Sequence, residues 1–506
     1  METIYSNRPF DLNSSSDMFG TYFKSRTIKS ILDVRMDYFK ENNMIALYGT
    51  WGSGKTSVMR YLQSEIENYS VIFFEAWKYE YDSNLSLSLL EAIMDQIEKE
   101  KDILHTFIDE TKSAARKLFS LGKNIILNTD ISLPGAKIST SKAFSQTKEM
   151  YEKKSFYSEV QSFNNKFNRI IEKYYEITNK KLLIFIDDLD RCEPSNVLNL
   201  LSSIKHFFTD TNKIVYFSGI DKKAVSKAIN IKYNNHITAE EYLEKIFDVT
   251  FHMPTTYELD KLIEDFLIKV NDFDKMSEKT GNLIKEFLGH INFNNPRKIK
   301  KIFNKYLFLC ELNRVNKHKS NGLEYKLIPQ NFSRHEPLQV IYTLYILILF
   351  EFEKEIFNEM FDYQSKMGKV KEEYSSENIQ VKSNTQVGLV NLINEKVINI
   401  PYLKWNSESF DKLTRAGEHR EIDFFIMLLY MLPLDVKKVS IPLLNTTSPE
   451  AIIKLIETFI SGHITTANKI QYLFVTFTWD LLKEGLELQT EDIAFHKLFE
   501  MANLYL

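Results

Sequence analysis

The chain has 506 residues, 44% of them hydrophobic and 26% charged, and its formal net charge at pH 7 is −4. This length predicts two or three domains, and the composition is typical of soluble globular proteins. The near balance of charge argues against nucleic acid or an anionic membrane as the main partner, although it leaves room for a local basic patch.

Neither a disulfide framework nor a membrane anchor is expected. The two cysteines, Cys192 and Cys310, lie far apart and outside any metal-ligand spacing, which favours a reducing cytoplasm. The chain begins without the basic and apolar segments of a secretory signal. The most apolar stretch, Leu338–Phe350, is shorter than the roughly 20 residues that a membrane-spanning helix needs, so we predict a buried core helix there.

The first predicted strand, Met44–Tyr48, leads directly into the clearest motif of the chain. The next eight residues read GTWGSGKT, match G-x-x-x-x-G-K-[ST] at every fixed position and precede a predicted helix. Glycines let backbone N–H groups approach phosphate oxygens, the helix N-terminus adds a favourable dipole, and a lysine supplies positive charge. The motif predicts a nucleoside triphosphate site formed by Gly49, Gly52, Ser53, Gly54, Lys55, Thr56 and Ser57.

A second predicted strand, Val71–Phe74, precedes a long segment without strand patterns. From about residue 82 to 178 the sequence reads as helix, polar loop and helix, with Pro134 and Gly135 marking an irregular break. We therefore predict a helical insertion at 82–178. The surrounding alternation of short apolar runs with helices is typical of an α/β fold with a parallel sheet covered on both faces.

The third predicted strand, Leu182–Ile186, ends in a cluster of carboxylates. In P-loop enzymes an Asp at this strand end holds magnesium beside the Ser or Thr of the loop, and Asp187 suits that role. Asp188 is placed to orient or deprotonate the attacking water, whereas Asp190 is a weaker candidate that could hold Arg191. The alternative is that these carboxylates cap the helix that follows, and the two roles are compatible.

The fourth predicted strand, Ile214–Phe217, also runs into polar residues. Because open α/β sheets bind ligands at the carboxyl ends of their strands, Ser218 or Asp221 could sense the γ-phosphate. An ordinary turn is the alternative. The guanine signature Asn-Lys-x-Asp is not fulfilled, since Asn212 and Lys213 lead straight into the strand, and this favours ATP over GTP.

Beyond the α/β region the apolar residues recur at helical spacing. One predicted helix begins near Asn295, which would cap it, with Pro296 in the first turn. Arg297 would then lie in that turn, where its guanidinium could reach a phosphate. A solvated basic face is the alternative.

These patterns divide the chain into three predicted parts. A P-loop NTPase domain covers residues 1–255, a helical lid covers 256–320, and a mainly α C-terminal domain covers 321–506. The C-terminal part includes a polar stretch, Gln364–Val387, that we expect to be mobile, and it carries no catalytic motif.

Taken together, the motifs resemble those of the KAP family of P-loop NTPases, a branch of the STAND/AAA+-like ATPases. The resemblance covers about three-fifths of the chain, from about Arg8 to Leu307. The matching pieces are GTWGSGKTS at the loop, FFEAWKYE at 73–80, FIDDLDRC at 185–192, YLEKIFDVTFHMP ending at Pro254, and NPRKIKKIFN at 295–304.

The resemblance implies an ATPase whose sheet has an additional strand and whose lid brings Arg297 to the nucleotide as a sensor 2 residue. It also implies the insertion after the second strand, where many members carry paired transmembrane helices. Here polar and helix-breaking residues interrupt the insertion, so no anchor is expected. Two further details concern position 75, where Glu75 replaces the usual Asn, and Trp77, which we expect to pack against the loop.

We therefore expect an ATP-binding, Mg²⁺-dependent ATPase that acts as a conformational switch or assembly ATPase. Its predicted catalytic residues are Lys55, Asp187, Asp188 and Arg297, and its predicted metal ligands are Thr56 and Asp187. The alternative is a nucleotide-gated binding or scaffold module that hydrolyses little and recruits a separate effector or nucleic acid. Homo-oligomerisation is also expected, and soluble bacterial members of the family are linked to anti-phage defence.

Overall fold

A computed structural model of the chain describes residues 4–6, 12–34, 38–82, 84–100, 108–114, 116–117, 146–233, 237–271, 278–318, 337–362, 469–483, 499, 501–503 and 506. The chain divides into two compact units. One unit is Arg8–Tyr257, and the other combines Met1–Asn7 with Glu258–Leu506.

The first unit is built on a five-stranded sheet in which each pair of neighbouring strands is parallel. The strands are β1 (Met44–Tyr48), β2 (Tyr69–Glu75), β3 (Lys181–Asp187), β4 (Ile214–Ile220) and β5 (Val249–His252). Their order is β2-β3-β4-β1-β5, so β4 separates the strand before the phosphate loop from the strand that carries the carboxylates. This additional strand confirms the predicted sheet type.

Helices cover both faces of this sheet. Its helices are α1 (Thr21–Val34), α2 (Lys55–Glu65), α3 (Leu85–Glu100), α4 (Gln146–Thr178), α5 (Pro194–Ser203), α6 (Lys222–Tyr233) and α7 (Ala239–Ile246). Short 3₁₀ turns occur at Tyr38–Lys40, Ala76–Tyr79 and Leu189–Arg191, a π-helical turn at Ile204–Phe208 follows α5, and residues 108–114 are also helical.

Successive side chains along each central strand enter two different cores, because strand side chains alternate between faces. Phe185 and Phe217 pack with α1 and α2 on one face, whereas Ile186 and Tyr216 pack on the other face with α3 to α7. Strands buried on both faces are near-continuous apolar runs, which is why four of them could be predicted. The fifth, β5, was missed, since its four residues alternate between half-buried and exposed and form no continuous apolar run.

The helices α3 and α4 and the helical residues 108–114 lie between β2 and β3 in sequence, where the insertion at 82–178 is predicted. The polar loop that we expect between them, around Pro134 and Gly135, lies outside the described residues. Across the described residues no helix is long and apolar enough to cross a membrane.

The second unit contains helices and no strand in its described residues. Its helices are α8 (Asp260–Asn271), α9 (Glu278–His290), α10 (Pro296–His318), α11 (Pro337–Phe352) and α12 (Lys469–Lys483), and residues 354–362 are also helical. The apolar stretch at 338–350 forms the buried helix α11, as predicted. Aromatic rings join these helices, with Phe266 stacked on Phe303 at 4.1 Å and Tyr345 on Phe474 at 4.0 Å. The stretch 364–387 lies outside the described residues, and the domain limits at 255 and 320 stay predictions.

Candidate nucleotide-binding site

The phosphate loop connects the buried strand β1 to the first turn of α2. Gly52 and Gly54 have φ values of 83° and 99°, a left-handed conformation that glycine adopts without steric cost. Gly54 is the N-terminal flanking residue of α2, and no side chain caps that helix end. An anion bound here would face the first N–H groups of α2, and the helix dipole favours negative charge at this end.

Three hydrogen bonds hold the loop from outside. The Gly49 amide donates to the Ile220 carbonyl at 3.0 Å, and the Trp51 amide donates to Asp221 Oδ2 at 2.9 Å. The Tyr257 hydroxyl donates to the Ser53 carbonyl at 3.0 Å, and burial raises the pKa of Tyr257 to about 12, so this donor stays protonated at neutral pH. The shape of the loop is thus set by residues far away in sequence.

Asp221 directly follows β4, and its carboxylate accepts two backbone amides. One carboxylate oxygen accepts the Trp51 amide, and the other accepts the Lys223 amide at 3.0 Å in the first turn of α6. The side chain therefore braces the loop against α6. A contact between Asp221 and a phosphate stays a prediction.

The space behind the loop is filled by Met253, the residue that follows β5. A Cβ built on Gly49 would lie 2.7 Å from Met253 Cγ and 2.5 Å from Ser53 Oγ, so only glycine fits at this position without movement. The buried Ser53 hydroxyl has no hydrogen-bond partner within the described part of the chain. An unpaired buried donor inside a phosphate loop is what a phosphate oxygen would satisfy.

Lys55, the first residue of α2, is buried, and its amino group turns back to the loop. Nζ donates to the carbonyl oxygens of Gly49 at 2.8 Å and Thr50 at 3.2 Å. These carbonyls hold the amino group beside the loop, where an incoming phosphate would compete with them for it. Ser57 is buried in the same turn of the helix.

Thr56 and Asp187 meet across the two predicted motifs. The Thr56 hydroxyl donates to Asp187 Oδ2 at 2.7 Å, although the residues are 131 positions apart. Burial raises the pKa of Asp187, and the Thr56 hydrogen bond partly opposes this shift. Gly219 leaves room beside the carboxylate, since a Cβ there would lie 3.2 Å from Asp187 Oδ1.

These two side chains fit a magnesium ion, because hydroxyl and carboxylate oxygens are its preferred protein ligands. Within the described ranges no group of three or more His, Cys, Asp or Glu could hold a metal. Thr56 and Asp187 would therefore hold Mg²⁺ together with phosphate oxygens and water, which is the usual arrangement in nucleotide sites. Metal and nucleotide would then bind as one ligand.

Asp188, next in sequence, has a left-handed backbone with φ 58° and ψ 27°. Its Oδ1 pairs with Arg191 Nε at 3.1 Å. The partner of Arg191 is thus Asp188, whereas the sequence suggested Asp190, because the 3₁₀ turn at Leu189–Arg191 brings positions three apart together.

The start of α5, the helix that follows the carboxylates of β3, is held by Glu80. No side chain of the flanking residue Glu193 caps α5. Glu80, which follows the turn after β2, accepts the Glu193 amide at 2.7 Å and the Asn196 side-chain amide at 3.2 Å. The described side-chain hydrogen bonds at the start of α5 thus come from Glu80, and capping by Asp187 or Asp188 stays a prediction.

Two details of the β2 motif also differ from expectation. Trp77 is half exposed, and the Arg191 guanidinium lies over its ring at 5.2 Å. Glu75 forms ion pairs with Arg60 at 3.3 Å and with Lys78. Neither contact is with the phosphate loop itself.

Ser218 is fully buried in β4, and its hydroxyl has no partner within the described part of the chain. Strand alternation places its side chain with Tyr216 and Ile220, on the face opposite α2, whereas the neighbouring Gly219 faces Asp187. The structure thus does not bring Ser218 to Thr56 and Asp187. The contact of Ser218 with the γ-phosphate stays a prediction, and the direction of the Ser218 side chain argues against it.

Arg297 belongs to the second unit, in the first turn of α10. The predicted cap is present, since Asn295 Oδ1 accepts the Lys298 amide at 3.1 Å. Burial, followed by the charges of Arg297 and Lys269, lowers the pKa of Lys300. The start of α10 therefore concentrates positive charge, which suits an anionic ligand, and a contact of Arg297 with nucleotide stays a prediction.

Sequence reasoning missed four residues, namely Met253 and Tyr257 at the loop, Gly219 beside Asp187, and Glu80 at the start of α5. Each of them lies far away in sequence from the residue that it contacts. Only Gly219 carried a signal, because a glycine at the end of a buried strand indicates close approach by a neighbour.

Comparisons with known proteins agree with this geometry. Residues 22–312, more than half of the chain, match the family model described as the KAP family P-loop domain. An uncharacterized protein of Methanocaldococcus jannaschii is 37% identical over 161 residues, which span 27% of this chain and 82% of that protein. A second uncharacterized protein of the same organism is 36% identical over 116 residues, 22% of this chain and 44% of its own length. With its loop, its sheet order and this match, the chain belongs to the KAP family of P-loop NTPases.

Proposed function

We propose that the protein is an ATPase that requires Mg²⁺ and uses hydrolysis to drive a change of conformation or assembly. The observation that carries this proposal is the 2.7 Å hydrogen bond between Thr56 and Asp187. It joins the helix that follows the phosphate loop to the carboxylate at the end of β3. A magnesium ion bound to nucleotide needs this hydroxyl and this carboxylate side by side.

Each group of the site has one part in the proposed reaction. Loop and α2 amides bind the phosphates, and Lys55 moves from the Gly49 and Thr50 carbonyls to the β- and γ-phosphate oxygens. Thr56 and Asp187 would hold magnesium, which would neutralise phosphate charge. Asp188 orients a water molecule towards the γ-phosphorus and takes its proton, as the bond to the bridging oxygen breaks and leaves ADP and inorganic phosphate.

ATP is favoured over GTP by the position of Asn212 and Lys213. These residues precede β4, at the amino end of the strand, and Lys213 Nζ lies 3.9 Å from the centre of the Tyr175 ring. Nucleotides bind at the opposite, carboxyl ends of parallel strands, so this pair has no access to a base bound there.

Phosphate release from ATP, with and without Mg²⁺, tests the proposal. We expect Lys55→Ala and Asp187→Ala to lose at least about 100-fold in kcat, because each removes charge stabilisation from the transition state. Lys223→Ala, an exposed lysine whose backbone amide contacts Asp221, is the matched control and should keep wild-type turnover. ATP binding by the wild type without any phosphate release would instead support a nucleotide-gated binding module.

The partners and the biological role are further parts of the proposal and rest on the family resemblance. We propose that the protein assembles with copies of itself or with a separate effector, and that it takes part in anti-phage defence. Mass measurement with and without ATP tests the assembly. Plaque counts on a host that carries the wild type or Lys55→Ala test the role, and equal counts would refute it. Nucleic acid is the weaker partner proposal, and a gel shift that shows no binding at low salt would discard it.

A further inference from the structure

Two turns that follow neighbouring strands lie side by side at the carboxyl edge of the sheet. Glu75 at the end of β2 is in register with Asp187 at the end of β3. The turns Ala76–Tyr79 and Leu189–Arg191 therefore leave the sheet at the same level. The first turn contains Trp77, and the second turn directly follows Asp188.

Arg191 connects these two turns. Its Nε lies 3.1 Å from Asp188 Oδ1, and its guanidinium carbon lies 5.2 Å from the centre of the Trp77 ring. The side chain of Arg191 is about one-third exposed, at 36%, so each contact contributes only about 1 kcal/mol or less to stability. Their effect is chiefly on orientation, because a planar guanidinium held over a ring presents its N–H donors in fixed directions.

The backbone adds a second constraint on the same carboxylate. Asp188 is left-handed, a conformation that costs a non-glycine residue about 1–3 kcal/mol and persists only when its surroundings enforce it. Two hydrogen bonds hold the backbone around Asp188. Glu80 ties the turn after β2 to the start of α5 through the Glu193 amide, and Arg191 N–H donates to the Asp188 carbonyl at 3.2 Å.

We propose that Arg191, held over Trp77, is a positioning residue that fixes the direction of the Asp188 carboxylate for the attack of water. This inference rests on the proposed ATPase function and deepens it. It also gives a physical reason for the pairing of the motifs FFEAWKYE and FIDDLDRC, since residues of the first orient residues of the second.

Steady-state kinetics of phosphate release and the Kd of a non-hydrolysable ATP analogue test this role. We expect Arg191→Gln to lower kcat by about 10- to 100-fold, since a correctly placed general base contributes about 10²–10⁴-fold. KM and the analogue Kd should stay within about threefold, because no phosphate-binding group changes. Arg191→Lys should recover only part of the loss, since lysine keeps the charge without the planar fork.

Matched variants separate positioning from a general structural effect. Trp77→Ala should lower kcat by about three- to tenfold and Trp77→Phe by less, because a phenyl ring still supports the guanidinium. Tyr81→Ala, at a fully exposed aromatic residue nearby, and Arg116→Gln, in the exposed ion pair with Glu91, should change nothing.

A double-mutant cycle decides whether Arg191 acts through Asp188. In an Asp188→Asn background, Arg191→Gln should have no further effect on kcat. Full additivity, unchanged turnover in Arg191→Gln, or faster turnover, which would indicate a restraining contact, overturns the inference while the ATPase proposal stands. A wild type that releases no phosphate overturns the proposed function and the positioning role with it.

Discussion

The contact between Gly49 and Met253 offers a quantitative test of how the phosphate loop is shaped. Gly49→Ala would place a Cβ 2.5 Å from Ser53 Oγ and 2.7 Å from Met253 Cγ, closer than real Cβ atoms approach, and 3.0 Å from Met253 Cβ. Such overpacking costs about 1–3 kcal/mol of stability, and the backbone shift that relieves it would move loop amides away from the phosphates. We therefore expect lower stability together with at least tenfold weaker Mg–ATP binding.

The steric origin of this effect predicts a specific rescue. Met253→Ala alone should cost about 2–5 kcal/mol, because it empties a buried site. Combined with Gly49→Ala, the total should be smaller than the sum by about 0.5–3 kcal/mol, since the new methyl group enters the space of the removed side chain. Urea unfolding followed by circular dichroism measures the free energy of unfolding of the two single variants and of the double variant. Gly289→Ala, where a Cβ meets nothing within 4 Å, is the control. Additive costs would refute the contact.

Three further predictions concern single side chains. Burial raises the pKa of Asp187 in the folded protein above its ordinary value of 3.8. The ionised carboxylate therefore destabilises the fold, and the stability of the wild type falls as the pH rises from the pKa of the unfolded chain through the raised pKa of the folded protein. Without metal or nucleotide, Asp187→Asn should therefore gain stability over the wild type as urea unfolding moves from about pH 4 to about pH 7; a constant difference would contradict this. Ser218→Ala removes a buried hydroxyl without a described partner, so it should leave stability unchanged or raise it by about 1 kcal/mol and keep kcat. Loss of phosphate release in that variant would show that the hydroxyl reaches nucleotide. Thr238→Ala breaks the capping box with Glu241 at the start of α7 and should cost about 1 kcal/mol in thermal unfolding, whereas no change would exclude a stabilising cap.

The sequence by itself determined the elements whose signals are local. A glycine-rich turn between an apolar strand and a helix specified the phosphate loop, because backbone freedom at Gly52 and Gly54 is a property of those residues alone. Four strands were predictable for a related reason. Strands buried on both faces are continuous apolar runs, and the predicted limits differ from the observed ones by at most three residues.

The motifs predicted that Thr56 and Asp187 lie together as metal ligands. Only the tertiary structure decided the contacts of Met253 and Tyr257 with the loop, which follow from the pairing of β5 with β1. Strand register likewise directs Ser218 away from Asp187 and Gly219 towards it. A shift of one residue would exchange the two faces, and the local sequence does not specify the register. Contacts of this kind depend on chain positions brought together by folding, and no local pattern encodes them.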